Sequence, residues 1–249
     1  MHPSVFEKQP ASIQEETDLQ AEGWHREWGS ELLEAGEPQW PSDIGPLPPR
    51  LVEDALLEAA MTFPTGTGLG WDGLHPRCLK RVSKSTVRWV ACVMQQAELS
   101  GTWHKQVGAV IIVLIPKGDG TYRPIGLIPW MPRLWMRARR ISATNWERIN
   151  SRDWIYAGFG KGADIAAWNQ AARAEMAAMG KWKTGYAQAL LDLVKAFERI
   201  PYWLLVQEAL AIGYSLWLLR LSLELDCLGR GNLLSSEELA DLKRLSVDP

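Results

Sequence analysis

The residues of this chain that could do chemistry sit where one element gives way to the next. Lys117 and Arg123 flank a glycine-rich turn, Gly118-Asp119-Gly120, between an apolar, β-branched stretch over 108–115 and Thr121-Tyr122-Arg123-Pro124-Ile125. Two strands around such a turn make a hairpin. Cations on a stiff hairpin can meet phosphate oxygens, Arg in bidentate fashion, although turn charges are also commonly just solvated. A second basic group, Arg133, Arg137, Arg139, Arg140, Arg148 and Arg152, is interleaved with Trp130, Trp135, Trp146 and Trp154. It reads as one or two helices, either with an aromatic buried face and a solvated basic one or as a surface that tracks a phosphate backbone. The tryptophans are expected mainly in the core; the arginines fit both readings. Asp192 closes a short apolar strand over 186–193, where an acid is by itself unremarkable. The stretch Thr65-Gly66-Thr67-Gly68-Leu69-Gly70-Trp71-Asp72-Gly73 is expected to be a flexible loop able to bring backbone amides near phosphate. It lacks the Lys-Ser/Thr of a P-loop.

Helical periodicity around these residues starts at 51–61, where Leu51, Ala55, Leu56 and Ala59 share a face with acids opposite. The alanine-rich segment 163–179 is helical by propensity, and a turn over 180–185 leads into the strand that ends near Asp192. Pro201 suits the first position of a helix through 212, an apolar helix follows over 216–228, and Ser235-Ser236-Glu237-Glu238 has the form of a capping box. The first fifty residues, ending in Pro41, Pro46, Pro48 and Pro49, read as an acidic arm or linker.

With 249 residues and 47% hydrophobic content the chain can bury one sizeable core or two small ones. Cys78, Cys92 and Cys227 lie far apart in no ligand spacing, which argues against a disulfide framework or zinc site and for reduced, buried thiols. The longest apolar run, 107–116, is about half of what a membrane span needs, so a soluble, intracellular protein is expected. The net charge of −2 conceals a segregation: 1–76 carries −11, 77–195 carries +12 and 196–249 carries −3. A basic middle between acidic ends is the electrostatic footprint of a polyanion-binding surface.

Four segments, taken in order, resemble consecutive motifs of the reverse transcriptases encoded by non-LTR (LINE-type) retrotransposons. Gly70-Trp71-Asp72-Gly73-Leu74 with Pro76 is similar to the element preceding the fingers. Trp103, Val113-Leu114-Ile115-Pro116-Lys117 and Tyr122-Arg123-Pro124-Ile125 resemble the fingers hairpin, and Gly158-Phe159-Gly160-Lys161-Gly162 resembles the segment before the palm helix. Leu191-Asp192-Leu193-Val194-Lys195-Ala196-Phe197 with Pro201 looks like polymerase motif A. The resemblance implies an α+β fold, an incomplete right-hand polymerase with fingers, partial palm and no thumb. Its expected parts are an acidic arm over 1–50, a fingers-like region over 51–183 and a partial palm over 184–249.

The implied activity is RNA-directed DNA synthesis, a nucleotidyl transfer in which two magnesium ions hold the attacking and leaving oxygens. Carboxylates held rigidly at a strand end suit that task. The resemblance makes Asp192 the catalytic metal ligand, with the Leu193 carbonyl as a second contact. Lys117 and Arg123 would hold the triphosphate, and Phe197 would exclude a ribose 2′-hydroxyl. Implied partners are an RNA template, a DNA primer and deoxynucleoside triphosphates, with no membrane; an element copied into chromosomes acts in the nucleus. Two departures stand out. Glu198 replaces the usual Asp, and the later acids Glu224, Asp226, Glu237, Glu238, Asp241 and Asp248 include no Asp-Asp pair. The chain therefore reads as stopping before the motifs that complete the metal site, inactive alone. The alternative is a non-catalytic nucleic-acid-binding remnant of a retroelement.

Overall fold

The computed structural model describes residues 15, 18–20, 22–23, 38–118, 122–158, 160–180, 187–189, 191 and 200–231. Among them, in chain order, are helices α1 (Glu53–Met61) and α2 (Lys84–Ser100), strands β1 (Ile111–Pro116) and β2 (Tyr122–Leu127), and helices α3 (Trp130–Asn150), α4 (Ala163–Ala178), α5 (Tyr202–Ala211) and α6 (Leu216–Gly231). Short 3-10 turns at Pro76–Arg81 and Lys105–Gly108 lead into α2 and β1. The described architecture is α+β in a loose sense: helices with one two-stranded antiparallel sheet. It divides into two compact units, 1–138 with 200–249, and 139–199, the boundary crossing α3.

The first unit is organised around α2. Ser83 opens this helix, its Oγ accepting from the Thr86 N–H at 3.2 Å, and Gly101 closes it at φ 72°, a left-handed conformation that suits glycine. Val87, Ala91 and Met94, spaced at helical intervals, are buried in a cluster with Leu56, Trp103, Leu134, Trp135 and Leu221. The Trp103 and Trp135 rings meet edge to face at 5.7 Å. Buried indoles need acceptors. Trp103 Nε1 donates to the Leu221 carbonyl at 3.2 Å, and Trp135 Nε1 to Glu98 Oε1 at 2.6 Å, so the carboxylate is embedded beside the ring it serves. Arg220 of α6 donates to the Ser100 carbonyl at 2.8 Å, placing a cation at the negative end of α2. A Cβ at Gly101 would collide with that guanidinium.

A second cluster in the same unit joins α5 and α6 through Tyr202, Val206 and Leu223, with Trp40 packed against it. Tyr202 donates to Asp226 Oδ2 at 2.5 Å, and Trp217 Nε1 donates to the Gly45 carbonyl at 2.9 Å. Pro201 is the N-cap of α5, with extended ψ of 139°, rather than its first helical residue. Cys78, Cys92 and Cys227 are in no disulfide and are half-buried, where burial was expected.

The 139–199 unit is built differently. It contains the end of α3, a connection over 151–162 and α4, of whose residues none is buried. Its described polar contacts are local: Asn150 to the Trp146 carbonyl at 3.0 Å, Lys161 to the Arg152 carbonyl, and Asn169 to the Tyr156 hydroxyl at 3.0 Å. Half of the strand expected over 186–193 lies outside the described residues, and the described ones, 187–189 and Leu191, are in no strand; the capping box at 235–238 lies wholly outside the described residues. Among the described residues no helix is long and apolar enough to cross a membrane.

Candidate nucleic-acid interface

The β1–β2 register pairs Ile115 with Arg123, Val113 with Ile125 and Pro116 with Tyr122. Cross-strand partners project to the same side and alternate residues share a face. Val113, Ile115, Arg123 and Ile125 therefore form one face, and all four are exposed. The other side, with Ile112, Leu114 and Tyr122, is half-buried. Lys117 follows directly on β1 and is exposed as well. The fold thus brings the two expected cations to one end of one hairpin. Asp192, Leu193 and Phe197 lie outside the described residues.

The glycine-rich loop is not the flexible phosphate cradle that its composition suggests. Asp72 Oδ2 accepts from the backbone N–H of Trp130 at 2.8 Å and Oδ1 from that of Leu74 at 3.1 Å. The carboxylate therefore ties the loop to the start of α3, the end of a helix that favours negative charge. Gly70 packs so tightly on Ile128 and Pro129 that a Cβ would stand 2.8–2.9 Å from their backbone. His75 adds a further tie: its Nδ1 accepts from the Arg77 N–H at 3.1 Å and its Nε2 lies 2.9 Å from the Pro64 carbonyl. An anion arriving at this helix terminus would meet a carboxylate already in place.

The arginine run divides as well. Arg133 donates to the Gly68 carbonyl at 2.5 Å, and its guanidinium lies 5.6 Å from the Phe63 ring, with that of Arg137 at 4.7 Å. Burial pulls the Arg133 pKa down; the Asp72 charge opposes this and Arg137 adds to it. The residue stays cationic because arginine does not lose its proton in proteins, but its donors and its ring contact are engaged by the fold. Arg139 is buried at 6% exposure. Arg140, Arg148 and Arg152 are exposed. Of the interleaved tryptophans, Trp135 is core, Trp130 and Trp146 are half-buried, and Trp154, expected in the core, is 73% exposed. The sequence reading did not mark Trp168, which is 76% exposed on α4. Its signal was there: a large aromatic on a helix with no buried stripe.

Nearby thiol chemistry is muted. Burial, followed by the Asp72 charge, pushes the Cys78 pKa up, which disfavours its thiolate. Among the described residues no group of three His, Cys, Asp or Glu side chains could hold a metal ion.

No family model matches the chain, and no curated protein matches it.

Proposed function

We propose that this chain is a reverse transcriptase-like domain, the fingers and first part of the palm of an RNA-directed DNA polymerase, whose β1–β2 hairpin grips the phosphates of nucleic acid or triphosphate. The supporting observation is the register that sets Arg123 opposite Ile115, two residues before Lys117, on an exposed hairpin end. Phosphoryl transfer asks a protein chiefly for positioning and charge stabilisation, and cations fixed on a strand pair provide both. Magnesium enters this reading only through Asp192 and the Leu193 carbonyl, both outside the described residues. When bound it would neutralise charge on the reacting phosphate. These 249 residues contain no Asp-Asp pair to complete such a site, so the reading includes little or no polymerisation by this chain alone. Primer extension on an RNA template with magnesium tests that part. Absent incorporation is expected, and incorporation abolished by Asp192→Asn would refute the incomplete site while strengthening the lineage.

A second reading, a nucleic-acid-binding remnant without metal chemistry, draws on the 139–199 unit. That unit exposes Trp154 and Trp168 together with Arg140, Arg148 and Arg152. Exposed aromatics provide stacking surfaces and exposed arginines neutralise phosphates, the combination used for single strands. Salt-sensitive binding that survives Asp192→Asn and weakens in an Arg140→Glu, Arg148→Glu, Arg152→Glu variant is expected here. Binding indifferent to those three changes would remove this reading.

A further inference from the structure

Helix α2 turns one side to the core and leaves the other open. Val87, Ala91 and Met94 are buried, whereas Trp89 and Val93, one turn apart on the far side of the helix, are 72% and 49% exposed. The charges around this ring are of one sign. No Asp or Glu occurs between Asp72 and Glu98, while that stretch holds Arg77, Lys80, Arg81, Lys84 and Arg88. Both bounding acids are engaged by the fold, Asp72 by the Trp130 and Leu74 N–H groups and Glu98 by the Trp135 indole. Two of the five cations are engaged as well: Arg77 donates to the Met61 carbonyl at 3.0 Å, and Arg88 is paired with Glu53 at 2.5 Å. Lys80, Arg81 and Lys84 are exposed and make no ion pair among the described residues.

We propose that Lys80, Arg81 and Lys84, with the ring of Trp89, form a contact site for single-stranded nucleic acid, made of residues that neither the β1–β2 hairpin nor the 139–199 unit supplies. The composition of the surface selects this partner. Protein–protein interfaces are depleted in lysine and centred on apolar area, and here the apolar area is one indole with Val93 beside it. Interfaces with nucleic acid are by contrast strongly positive. An open indole on a helix flank offers a plane to an unpaired base, whereas a duplex keeps its bases stacked within itself. The site shares the partner class of the proposed function but none of its residues, so either can stand without the other.

Fluorescence anisotropy with a single-stranded RNA oligonucleotide, followed across a salt series with the full chain, tests the site, because its two halves leave different signatures. The Lys80→Gln, Arg81→Gln, Lys84→Gln variant is expected to bind more weakly, with a slope of log affinity against log salt shallower by about 2, at about 0.7 for each phosphate contact. Trp89→Ala is expected to weaken binding about fivefold or more at an unchanged slope, and Trp89→Phe to restore most of that loss. On an RNA duplex of the same sequence Trp89→Ala should have no effect. All four side chains are exposed, so the variants should melt with the parent. An unchanged slope in the triple variant, or an unchanged affinity in Trp89→Ala, overturns the inference. Displacement of the RNA by polyglutamate as readily as by unlabelled RNA also overturns it, since that marks a surface for acidic protein. Weakening in these variants while a Lys117→Glu, Arg123→Glu chain binds like the parent upholds this site and removes the hairpin grip; the reverse pattern removes this site and keeps the grip. RNA bound by no version of the chain overturns both.

Discussion

The unit formed by 1–138 with 200–249 and the unit 139–199 treat tryptophan differently: the first buries some of its rings while leaving Trp89 72% exposed, and the second buries none of its described ones. In the first, Trp103 and Trp135 are buried with indole nitrogens bonded inside the core, and Arg133 is held by a loop carbonyl and a ring. In the second, Trp154 and Trp168 stand more than 70% exposed, and Arg140, Arg148 and Arg152 face solvent. Residue type alone therefore does not mark a functional surface. What distinguishes a candidate is whether the fold already occupies its polar atoms and apolar area. By that measure Asp72 and Arg133 belong to architecture, and the exposed hairpin end and the exposed rings of Trp154 and Trp168 remain candidates for contact.

The largest contrast should appear on truncating tryptophans. Trp135→Ala removes a fully buried ring and the hydrogen bond it gives to Glu98, so a loss of about 3–5 kcal/mol is expected in chemical denaturation. Trp168→Ala on α4 should cost no more than about 0.5 kcal/mol. Equal losses would erase the distinction between the units.

Smaller effects should separate the loop from the hairpin. Asp72→Ala removes the acceptor for the first N–H of α3 and is expected to lower stability by about 1–2 kcal/mol. A thermal melt should show this clearly, with RNA affinity unchanged once the variant is folded. If affinity collapsed while stability held, Asp72 would be part of the interface.

The smallest effect concerns Glu53. Its hydrogen bond to Arg88 holds the carboxyl below its usual range, on the protein surface. A carboxylate with a lowered folded pKa contributes stability present above its unfolded pKa and lost as pH falls through the folded value. The melting temperature should fall slightly more steeply on acidification in the parent than in Glu53→Gln. Parallel curves would mean that the pair contributes nothing, as many exposed pairs do.

Much of this was legible in the sequence, and its gaps have physical causes. The hairpin followed from β-branched residues on either side of a glycine turn, and α4 from alanine content. The arginine and tryptophan run, all but Arg152 and Trp154, resolved into the single 21-residue helix α3. Helix α2 was not anticipated, although Ser83, the Val87, Ala91, Met94 stripe and Gly101 spell it out. Its stripe ends in Glu98, a buried acid that no hydrophobic pattern registers because its partner, Trp135, lies on another helix. The role of Asp72 was hidden for the same reason: its acceptor serves a backbone N–H 58 positions away. Composition suggested mobility where a long-range hydrogen bond provides anchoring. The site residues Lys117 and Arg123 could be paired from sequence because one short turn joins their strands, whereas the division at 138 and 199 depends on contacts between distant segments.

The central claim is that the hairpin end grips phosphate, and the salt dependence of single-stranded RNA binding by fluorescence anisotropy tests it directly. Each phosphate contact contributes about 0.7 to the slope of log affinity against log salt for a single strand. A folded Lys117→Glu, Arg123→Glu chain should bind more weakly, with a slope shallower by about 1.4. An unchanged affinity and slope would contradict the claim.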